Sequence, residues 1–331
     1  MIIVTGGAGF IGSNFILKWM NRTKEPILNI DCLSYAANLE NLKEVENDKA
    51  YSFSQTNISD KNEIFNLLNK NKPRAILNFA AESHVDRSIE GPETFINTNI
   101  LGTYSLLKAS LDYWNDLSKK EKEIFRFFHI STDEVFGSLN LNDKKSTEES
   151  SYKPNSPYSA SKAASDHLVR AWHHTFKLPT LVSNCTNNYG PHQHEEKLIP
   201  QIITKAIKNE NLPIYGDGKN IRDWLYVEDH CEAIMKILEK GTPGETYNIG
   251  GNCEKSNLEV VNEICGILDS KNPKKDGSLY KKQIKFVNDR PGHDFRYSLD
   301  ISKIEYNLNW KPKESFSSGL AKTVQWYLER S

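Results

Sequence analysis

The sequence predicts an α/β protein built on a Rossmann-type, doubly wound parallel sheet, followed by a smaller α/β lobe. Short apolar runs alternate with longer amphipathic stretches through the first 185 residues, which is typical of a parallel sheet covered by helices on both faces. A glycine-rich segment also follows the first apolar run. Beyond residue 190 the alternation loosens. We therefore predict one domain over residues 1–188 and a second lobe over residues 189–331, with some of its segments returning to the first domain.

Hydrophobic periodicity predicts each element in turn. In the first domain we expect strands at residues 2–4, 27–30, 51–53, 75–79, 125–130 and 180–183. Helices are expected between them at residues 10–21, 39–45, 61–69, 92–114 and 157–176. In the second lobe we expect strands at residues 213–215, 224–227, 246–249 and 284–287, and helices at residues 198–208, 228–239, 257–268 and 316–328. The polar segment 271–280, with Pro273 and Gly277, predicts an exposed loop.

Composition excludes several classes of protein. The chain has 331 residues with a formal net charge of −1, so no bulk charge attracts nucleic acid or an anionic membrane. Its 5 cysteines are scattered without a C-x-x-C pair, which indicates a reduced protein without a disulfide framework or zinc site. The histidine pairs at residues 173–174 and 192–194 lack the neighbours of a metal site. No run approaches 18 apolar residues and no signal-peptide pattern opens the chain, so we expect a cytoplasmic protein.

The first motif is Thr5-Gly6-Gly7-Ala8-Gly9-Phe10-Ile11-Gly12, between a predicted strand and a predicted helix. In this context it is a dinucleotide-binding fingerprint, whereas a glycine-rich turn without a ligand is the alternative. Gly6 and Gly7 permit a tight turn, and Gly9 lets the backbone approach a pyrophosphate. Gly12 lets helix and strand pack closely. The helix N-terminus then offers N–H groups and a positive dipole end to the phosphates.

Asp31 lies 19 residues after Gly12, directly behind the second predicted strand. A carboxylate at this place accepts hydrogen bonds from an adenosine ribose and repels a 2′-phosphate. The sequence therefore predicts that NAD is preferred to NADP.

Tyr158 and Lys162 are spaced i,i+4 on a predicted helix, so their side-chain tips can meet. A free tyrosine has a pKa of about 10 and is a poor base at neutral pH. A nearby ammonium stabilises the phenolate and lowers that pKa. The pair predicts a tyrosine base assisted by lysine, although a solvated surface pair would show the same spacing.

The segment Thr132-Asp133-Glu134 follows the fifth predicted strand, at the sheet edge where α/β proteins bind ligands. Adjacent residues in a regular strand point to opposite faces, so both carboxylates can meet one substrate only if the strand has ended. Gly137 makes such a turn plausible. Thr132 would then donate to a substrate oxygen, and Asp133 and Glu134 could act as acid and base. An acidic loop without a catalytic role is the alternative.

Together these motifs resemble the extended short-chain dehydrogenase/reductase family over nearly the whole chain. Within it, the sequence is similar to the sugar-nucleotide dehydratases that act on dTDP-glucose. The resemblance rests on Thr132-Asp133-Glu134 and on the strings at residues 80–88, 187–191, 222–230 and 289–294. The sequence departs from that group at Ala37, Asn57, Phe136 and Thr186, none of which replaces a catalytic group.

The resemblance implies an NAD-dependent lyase that converts dTDP-glucose to dTDP-4-dehydro-6-deoxyglucose and water, in the synthesis of dTDP-rhamnose or another deoxysugar for cell-surface polysaccharides. Tyr158, assisted by Lys162 and Thr132, would take the 4-hydroxyl proton as hydride passes from C4 to tightly bound NAD+. Glu134 would remove the C5 proton while Asp133 protonates the departing 6-hydroxyl, and the hydride would return to C6. A homodimer through the helices at residues 92–114 and 157–176 is also implied.

The resemblance further implies contacts residue by residue, with no metal ligand. Besides Tyr158 and Lys162, the expected cofactor contacts are Gly6, Gly9, Phe10, Ile11, Gly12, Asp31, Cys32, Leu33, Ser34, Asn57, Ile58, Phe79, Ala80, Ala81, Glu82, Ser83, Thr98 and Asn188. The expected substrate contacts are Val85, Thr132, Asn187, Lys197, Leu198, Pro213, Ile214, Tyr215, Arg222, Asn257, Asp289, Arg290, Pro291, Gly292 and His293. Arg222 and Arg290 suit a diphosphate as fork-shaped donors. Either arginine could instead be a structural ion-pair partner, Arg222 with the adjacent Asp223 in particular.

Two other functions remain open from the sequence. Another nucleotide-sugar 4,6-dehydratase or a UDP-sugar 4-epimerase would share most of these motifs. A non-catalytic NAD-binding regulator is a third possibility, but such a protein has no need of Tyr158, Lys162, Asp133 and Glu134 together.

Overall fold

A computed structural model describes residues 1–330. Its strands, in chain order, are β1 (Ile2–Thr5), β2 (Ile27–Asp31), β3 (Tyr51–Gln55), β4 (Ala75–Asn78), β5 (Arg126–Thr132), β6 (Thr180–Cys185), β7 (Asn187–Tyr189), β8 (Leu212–Tyr215), β9 (Ile221–Tyr226), β10 (Thr246–Ile249), β11 (Glu254–Ser256) and β12 (Ile284–Val287).

The α-helices are α1 (Phe10–Arg22), α2 (Lys61–Asn71), α3 (Val85–Glu90), α4 (Pro92–Phe95), α5 (Thr103–Asp116), α6 (Lys119–Ile124), α7 (Pro157–Phe176), α8 (Leu198–Ile207), α9 (Val227–Lys240), α10 (Asn257–Lys271), α11 (Ser302–Leu308) and α12 (Phe316–Leu328). Short 3₁₀ turns occupy Leu39–Leu42, Asp133–Phe136 and Tyr280–Gln283, and a π-helix occupies Ile96–Gly102.

Seven strands form the central sheet in the order β10-β6-β5-β4-β1-β2-β3. Each pair of neighbouring strands in it is parallel. The strand order reverses between β1 and β4, so the connections leave these two strands in opposite directions. Such a switch point opens a crevice at the carboxyl ends of the strands. The predicted Rossmann-type sheet is confirmed, and it places the ends of β1, β2, β4, β5 and β6 at one edge.

Helices cover both faces of this sheet because its strands are apolar on both sides. Ile3 packs in one cluster with Ile64 of α2 and Leu106 of α5. Its neighbour Val4 packs in the opposite cluster, with Phe15 of α1 and with residues of α9. Alternate strand residues therefore serve opposite layers.

A second core lies between α8, α10 and α12, beneath two small sheets. One sheet has the order β11-β9-β7, and the other pairs β8 with β12. The chain then returns, because β10 pairs with β6 and supplies the edge strand of the central sheet.

Two predicted helices differ from the structure. The expected helix at residues 39–45 is only the 3₁₀ turn Leu39–Leu42. The expected helix at residues 92–114 is interrupted by the π-helix Ile96–Gly102. There the buried Asn99 amide donates to the Glu82 carbonyl and its oxygen accepts from the Glu82 N–H. The wider turn accommodates this inward side chain, and π-bulges commonly occur at functional sites.

Smaller differences concern boundaries and short elements. The predicted strand at residues 224–227 begins earlier, at Ile221, and α9 already starts at Val227. The predicted loop at residues 271–280 begins one residue later than expected. The short elements α3, α6, α11, β7 and β11 were not predicted from periodicity.

None of the helices within residues 1–330 is long and apolar enough to cross a membrane. In the same range, no group of three or more His, Cys, Asp or Glu side chains is arranged to hold a metal ion.

Candidate active site

The glycine-rich turn joins β1 to α1 beneath the end of β4. Gly6 has a φ of +70°, and a Cβ atom there would lie 2.6 Å from the Ala80 backbone nitrogen. A Cβ on Gly12 would lie 2.4 Å from the Gly6 carbonyl oxygen. Both positions therefore require glycine, since a side chain would push α1 or the end of β4 away from the turn.

The N-terminus of α1 is open to an anion. Its N-cap residue is Gly9, which has no side chain to accept from the first amides, and the first turn has no acidic residue. Unsatisfied N–H groups and the positive end of the helix dipole therefore face the cleft. A pyrophosphate fits this place.

Asp31 ends β2 and lies on the cleft wall, 7% exposed. Oδ2 accepts from the Ala8 N–H at 3.0 Å, and Oδ1 accepts from the Leu33 N–H at 2.8 Å. Burial raises the pKa of this carboxyl, while the two hydrogen bonds act in the opposite direction. Because a carboxylate has about four acceptor positions, Asp31 keeps capacity for ribose hydroxyls.

Strand β5 ends at Thr132, and Asp133 begins a 3₁₀ turn. The strand has therefore ended before the two carboxylates, as a shared substrate requires. Thr132 Oγ1 donates to Asp133 Oδ1 at 3.2 Å and accepts from the Glu134 N–H at 3.3 Å. The side chains of all three residues line the same cleft. Asp133 is almost fully buried, and its Oδ2 has no hydrogen-bond partner within the described part of the chain.

The two carboxyls stand in different surroundings. Burial, and next the neighbouring Glu134, raise the pKa of Asp133 well above its usual value, which favours the protonated acid. Burial also raises the pKa of Glu134, but the positive charges of Arg222, Arg290 and Lys197 oppose that rise. The pKa of Asp133 is therefore raised more strongly than that of Glu134, and two carboxyls whose pKa values are separated in this way suit an acid and a base.

Tyr158 and Lys162 lie one turn apart on α7, and both line the cleft. The side chain of Tyr158 lies beside Thr132. Burial and then the Glu134 charge raise the pKa of Tyr158 well above 10, whereas the sequence predicted a lowered pKa. The difference arises because Tyr158 is buried beside Glu134, which the spacing of Tyr158 and Lys162 does not reveal. Lys162 Nζ donates to the Ile130 carbonyl at 2.8 Å.

Arg222 and Arg290, the two arginines expected to contact the diphosphate, have different hydrogen-bond partners. Arg222 is buried and donates to the carbonyls of Ile221, Phe295 and Asp294 rather than to Asp223. Asp223 instead accepts from the amides of Gly251 and Cys253. The predicted alternative of an Arg222–Asp223 ion pair is therefore wrong.

Arg290 lies 3.4 Å from Asp86 of α3 through Nη1, and its buried Nε has no partner among residues 1–330. Tyr215 donates to the other oxygen of Asp86 at 3.4 Å. Asp86 thus connects the first domain to two expected substrate contacts of the second lobe.

The structure brings most expected cofactor contacts into one cleft. Its walls include Gly6, Gly9, Phe10, Ile11, Gly12, Asp31, Cys32, Ser34, Asn57, Ile58, Phe79, Ala80, Ala81, Glu82, Ser83, Thr98 and Asn188, with Asn187 and Lys197 among the expected substrate contacts. One expected cofactor contact, Leu33, is not on these walls. The expected substrate contacts that are not on them are Val85, Leu198, Pro213, Ile214, Tyr215, Arg222, Asn257, Asp289, Arg290, Pro291, Gly292 and His293.

Several wall residues were not predicted to be site residues, among them Ser131, Cys185, Thr186, Gln193, His194 and Glu196. Ser131 and Cys185 lie at the carboxyl ends of adjacent parallel strands, which was an available signal. Glu196 accepts from Tyr35 at 3.0 Å across the mouth of the cleft, a contact over 161 positions that local patterns do not reveal.

Residues 3–323 match the model of a family described as GDP-mannose 4,6 dehydratase. Among similar curated proteins is the dTDP-glucose 4,6-dehydratase of Haemophilus influenzae, which is 54% identical over 100% of this chain and 98% of its own length. The dTDP-glucose 4,6-dehydratase of Xanthomonas campestris is 55% identical, covering 98% of this chain and 92% of that protein.

Solved structures show the same likeness. The dTDP-glucose 4,6-dehydratase of Streptomyces venezuelae, crystallised with NAD and TYD bound, has a TM-score of 0.89 and 42% identity, and the match covers 99% of this chain and 97% of that one. A Thermotoga maritima UDP-glucose 4-epimerase shares the fold with a TM-score of 0.87 but only 26% identity, covering 99% of each chain.

Proposed function

The chain belongs to the GDP-mannose 4,6-dehydratase family, and from that premise we propose that it is a dTDP-glucose 4,6-dehydratase. It converts dTDP-glucose to dTDP-4-dehydro-6-deoxyglucose and water. The curated relatives that match it over nearly their whole length are named for that reaction. The observation that supports it best is the pair Asp133 and Glu134, two adjacent cleft carboxyls of which only Glu134 has several positive charges opposing the rise in its pKa.

NAD is the cofactor of this proposal. The open N-terminus of α1, the Gly6–Gly12 turn and Asp31 fit its pyrophosphate and adenosine ribose. When bound, NAD+ accepts a hydride from sugar C4 and later returns it to C6. All other steps fall to side chains of this protein.

Tyr158 takes the proton of the 4-hydroxyl, and Thr132 holds that hydroxyl oxygen. Lys162, buried one turn along α7, assists Tyr158 through its positive charge. The resulting 4-ketone makes the C5 hydrogen acidic. Glu134 removes that proton and returns one to C5 when the hydride reaches C6. The positive charges of Arg222, Arg290 and Lys197 oppose the rise that burial causes in the pKa of Glu134.

Asp133 supplies the proton that leaves with the 6-hydroxyl as water. Burial raises its pKa well above the usual value, which favours the protonated form, and its Oδ2 has no hydrogen-bond partner in the described residues. The net charge of the chain is −1, so the positive charge for the substrate diphosphate has to come from individual side chains. Arg290 and Lys197 supply it.

The proposal is tested by incubating the protein and NAD in deuterated water with dTDP-glucose and, separately, with UDP-glucose. Proton NMR of the sugar product should show a 6-methyl signal and deuterium at C5 with dTDP-glucose alone. Formation of a galactose epimer would instead assign the chain to the epimerases. No conversion of either sugar would contradict the substrate assignment.

NAD should bind more tightly than NADP, because Asp31 accepts from the ribose hydroxyl and repels a 2′-phosphate. Replacing Asp31 with Ser should reduce this preference by roughly tenfold or more, as one hydrogen bond to a charged group is worth about 1.5–3 kcal/mol. Calorimetric titration of both cofactors at one salt concentration measures it. The control is Asp229→Asn, a buried carboxylate that caps the backbone at Lys313 and Glu314. Tighter NADP binding by the wild-type protein would contradict the prediction.

The homodimer is also part of the proposal. Ile96, Leu101, Tyr104 and Phe176 are exposed apolar side chains that form an outward face. The rings of Tyr104 and Trp172 pack edge-on, with their centroids 5.9 Å apart. Leu101→Glu should convert a dimer to a monomer in sedimentation velocity. Leu141→Glu, at another exposed leucine, should not. A monomeric wild-type protein would refute the homodimer.

We further propose that residues 1–188 bind NAD and residues 189–331 bind the nucleotide sugar, with β10 returning to the first unit, and that the enzyme works in the cytoplasm. Cell fractionation tests the location. Hydrogen exchange of the backbone amides, measured with NAD alone and with dTDP alone, tests the division. NAD should protect amides of the first unit, and dTDP should protect amides of the second.

A further inference from the structure

A buried polar cluster lies against Lys162, between α7 and the strands β5 and β6. Its centre is His129 and Asp166, which are 1% and 4% exposed. The mechanism proposed above uses neither residue. Buried groups of this kind are costly unless each is paired, so the pairing shows what the cluster stabilises.

Asp166 has the hydrogen bonds of a carboxylate. Its Oδ2 accepts three times, from Ser131 Oγ at 2.8 Å, Tyr152 Oη at 3.0 Å and Asn184 Nδ2 at 3.2 Å. The other oxygen, Oδ1, has no hydrogen-bond partner within residues 1–330 and lies 3.4 Å from His129 Nε2.

His129 is held as a neutral ring. Its Nδ1 lies 3.1 Å from Asn78 Nδ2, and Asn78 Oδ1 accepts from Thr5 at 2.7 Å. Burial and the charge of Lys162 lower the pKa of His129 to about 4, which keeps the ring neutral.

Lys162 Nζ lies 3.3 Å from the same His129 Nε2 and donates to the Ile130 carbonyl. Burial lowers the pKa of this lysine, and the Asp166 carboxylate is the first charge that opposes this effect. Tyr158, Lys162 and Asp166 follow one another at four-residue spacing, so they share one face of α7.

We propose that Asp166 is a positioning residue for the Lys162 ammonium: its carboxylate and the ammonium both approach His129 Nε2, at 3.4 Å and 3.3 Å, and the negative charge of Asp166 keeps Lys162 charged beside Tyr158. This inference rests on the proposed role of Tyr158 as the base. The other charged or titratable groups facing Tyr158 and Lys162 are Asp133 and Glu134 after β5 and Cys185 of β6. They oppose a Tyr158 phenolate, so the lysine charge has to outweigh them.

The test is Asp166→Asn in the NAD-bound protein. Loss of the carboxylate weakens the positive charge at Lys162, so the phenolate of Tyr158 becomes less favourable and its pKa rises. We expect a rise of at least about one unit, read from tyrosinate absorbance as the difference from the matching Tyr158→Phe protein. The acid limb of the kcat profile should move to higher pH by the same amount, and kcat at neutral pH should fall about tenfold with KM little changed.

Asp229→Asn is the control, since it removes another buried carboxylate, one that accepts two backbone amides outside the cluster. It should lower stability without moving the tyrosinate titration. Asp166→Ser removes the same charge, and it decides the question if Asp166→Asn does not fold. Either folded variant that titrates like the wild type would overturn the proposal. The titration needs no sugar, so it remains decisive even if the enzyme acts on a different nucleotide sugar.

Discussion

Glu134→Gln should stop the reaction after the first oxidation. The amide has nearly the same shape as the carboxylate but cannot take the C5 proton, while Tyr158 and Lys162 remain in place to oxidise C4. Formation of the 6-deoxy product should fall by about 10²–10⁴-fold, the usual contribution of a general base. On rapid mixing with dTDP-glucose, absorbance of the reduced nicotinamide should rise and persist.

The matched control is Glu148→Gln. Glu148 is also partly buried, and burial is the main cause that raises its pKa. It differs in that it accepts from the Asn248 backbone N–H at 2.8 Å and does not line the cleft. This variant should turn over like the wild type. Wild-type turnover by Glu134→Gln would show that the base has been assigned wrongly.

Gly12→Ala should abolish NAD binding and destabilise the fold. The added methyl would lie 2.4 Å from the Gly6 carbonyl oxygen and 2.8 Å from Gly7 Cα, both backbone atoms that cannot rotate away. The turn and α1 must separate, at a cost of about 1–3 kcal/mol for an overpacked site. Urea unfolding measures the stability, and calorimetric titration measures the lost affinity for NAD.

Gly266→Ala makes the same change in α10, where nothing lies within 4 Å of the added methyl. This variant should bind NAD normally and gain about 0.5–1 kcal/mol, because glycine in a helix interior is less stable than alanine. If the two variants lost stability equally, the close approach at Gly12 would not be the cause.

Much of the site could be predicted because it is local in sequence. The turn at Gly6–Gly12 and the carboxylate Asp31 follow from strands and helices that lie next to them in the chain. The end of β5 at Asp133 also follows from one short segment. Parallel strands then bring these separate segments to one edge of the sheet.

The remainder depends on distant contacts. Asn99 takes its place in the π-helix because it bonds Glu82, 17 positions earlier, and Ser161, 62 positions later. The sequence pattern at residues 92–114 records none of these partners. The environment of Lys162 is likewise set by His129, which lies 33 positions away. Arg222 could not be assigned from its neighbour Asp223, because the carbonyls it binds come mainly from residues 294–295.

The position of β10 has a consequence for biosynthesis. About sixty residues separate β10 from its partner β6, and they include most of the small sheets of the second lobe. A ribosome adds about 5–20 residues each second, so for several seconds β6 is an uncovered edge on the growing chain. Uncovered edges promote aggregation. The nucleotide-binding sheet is therefore completed late in translation, after much of the lobe that follows it has been made.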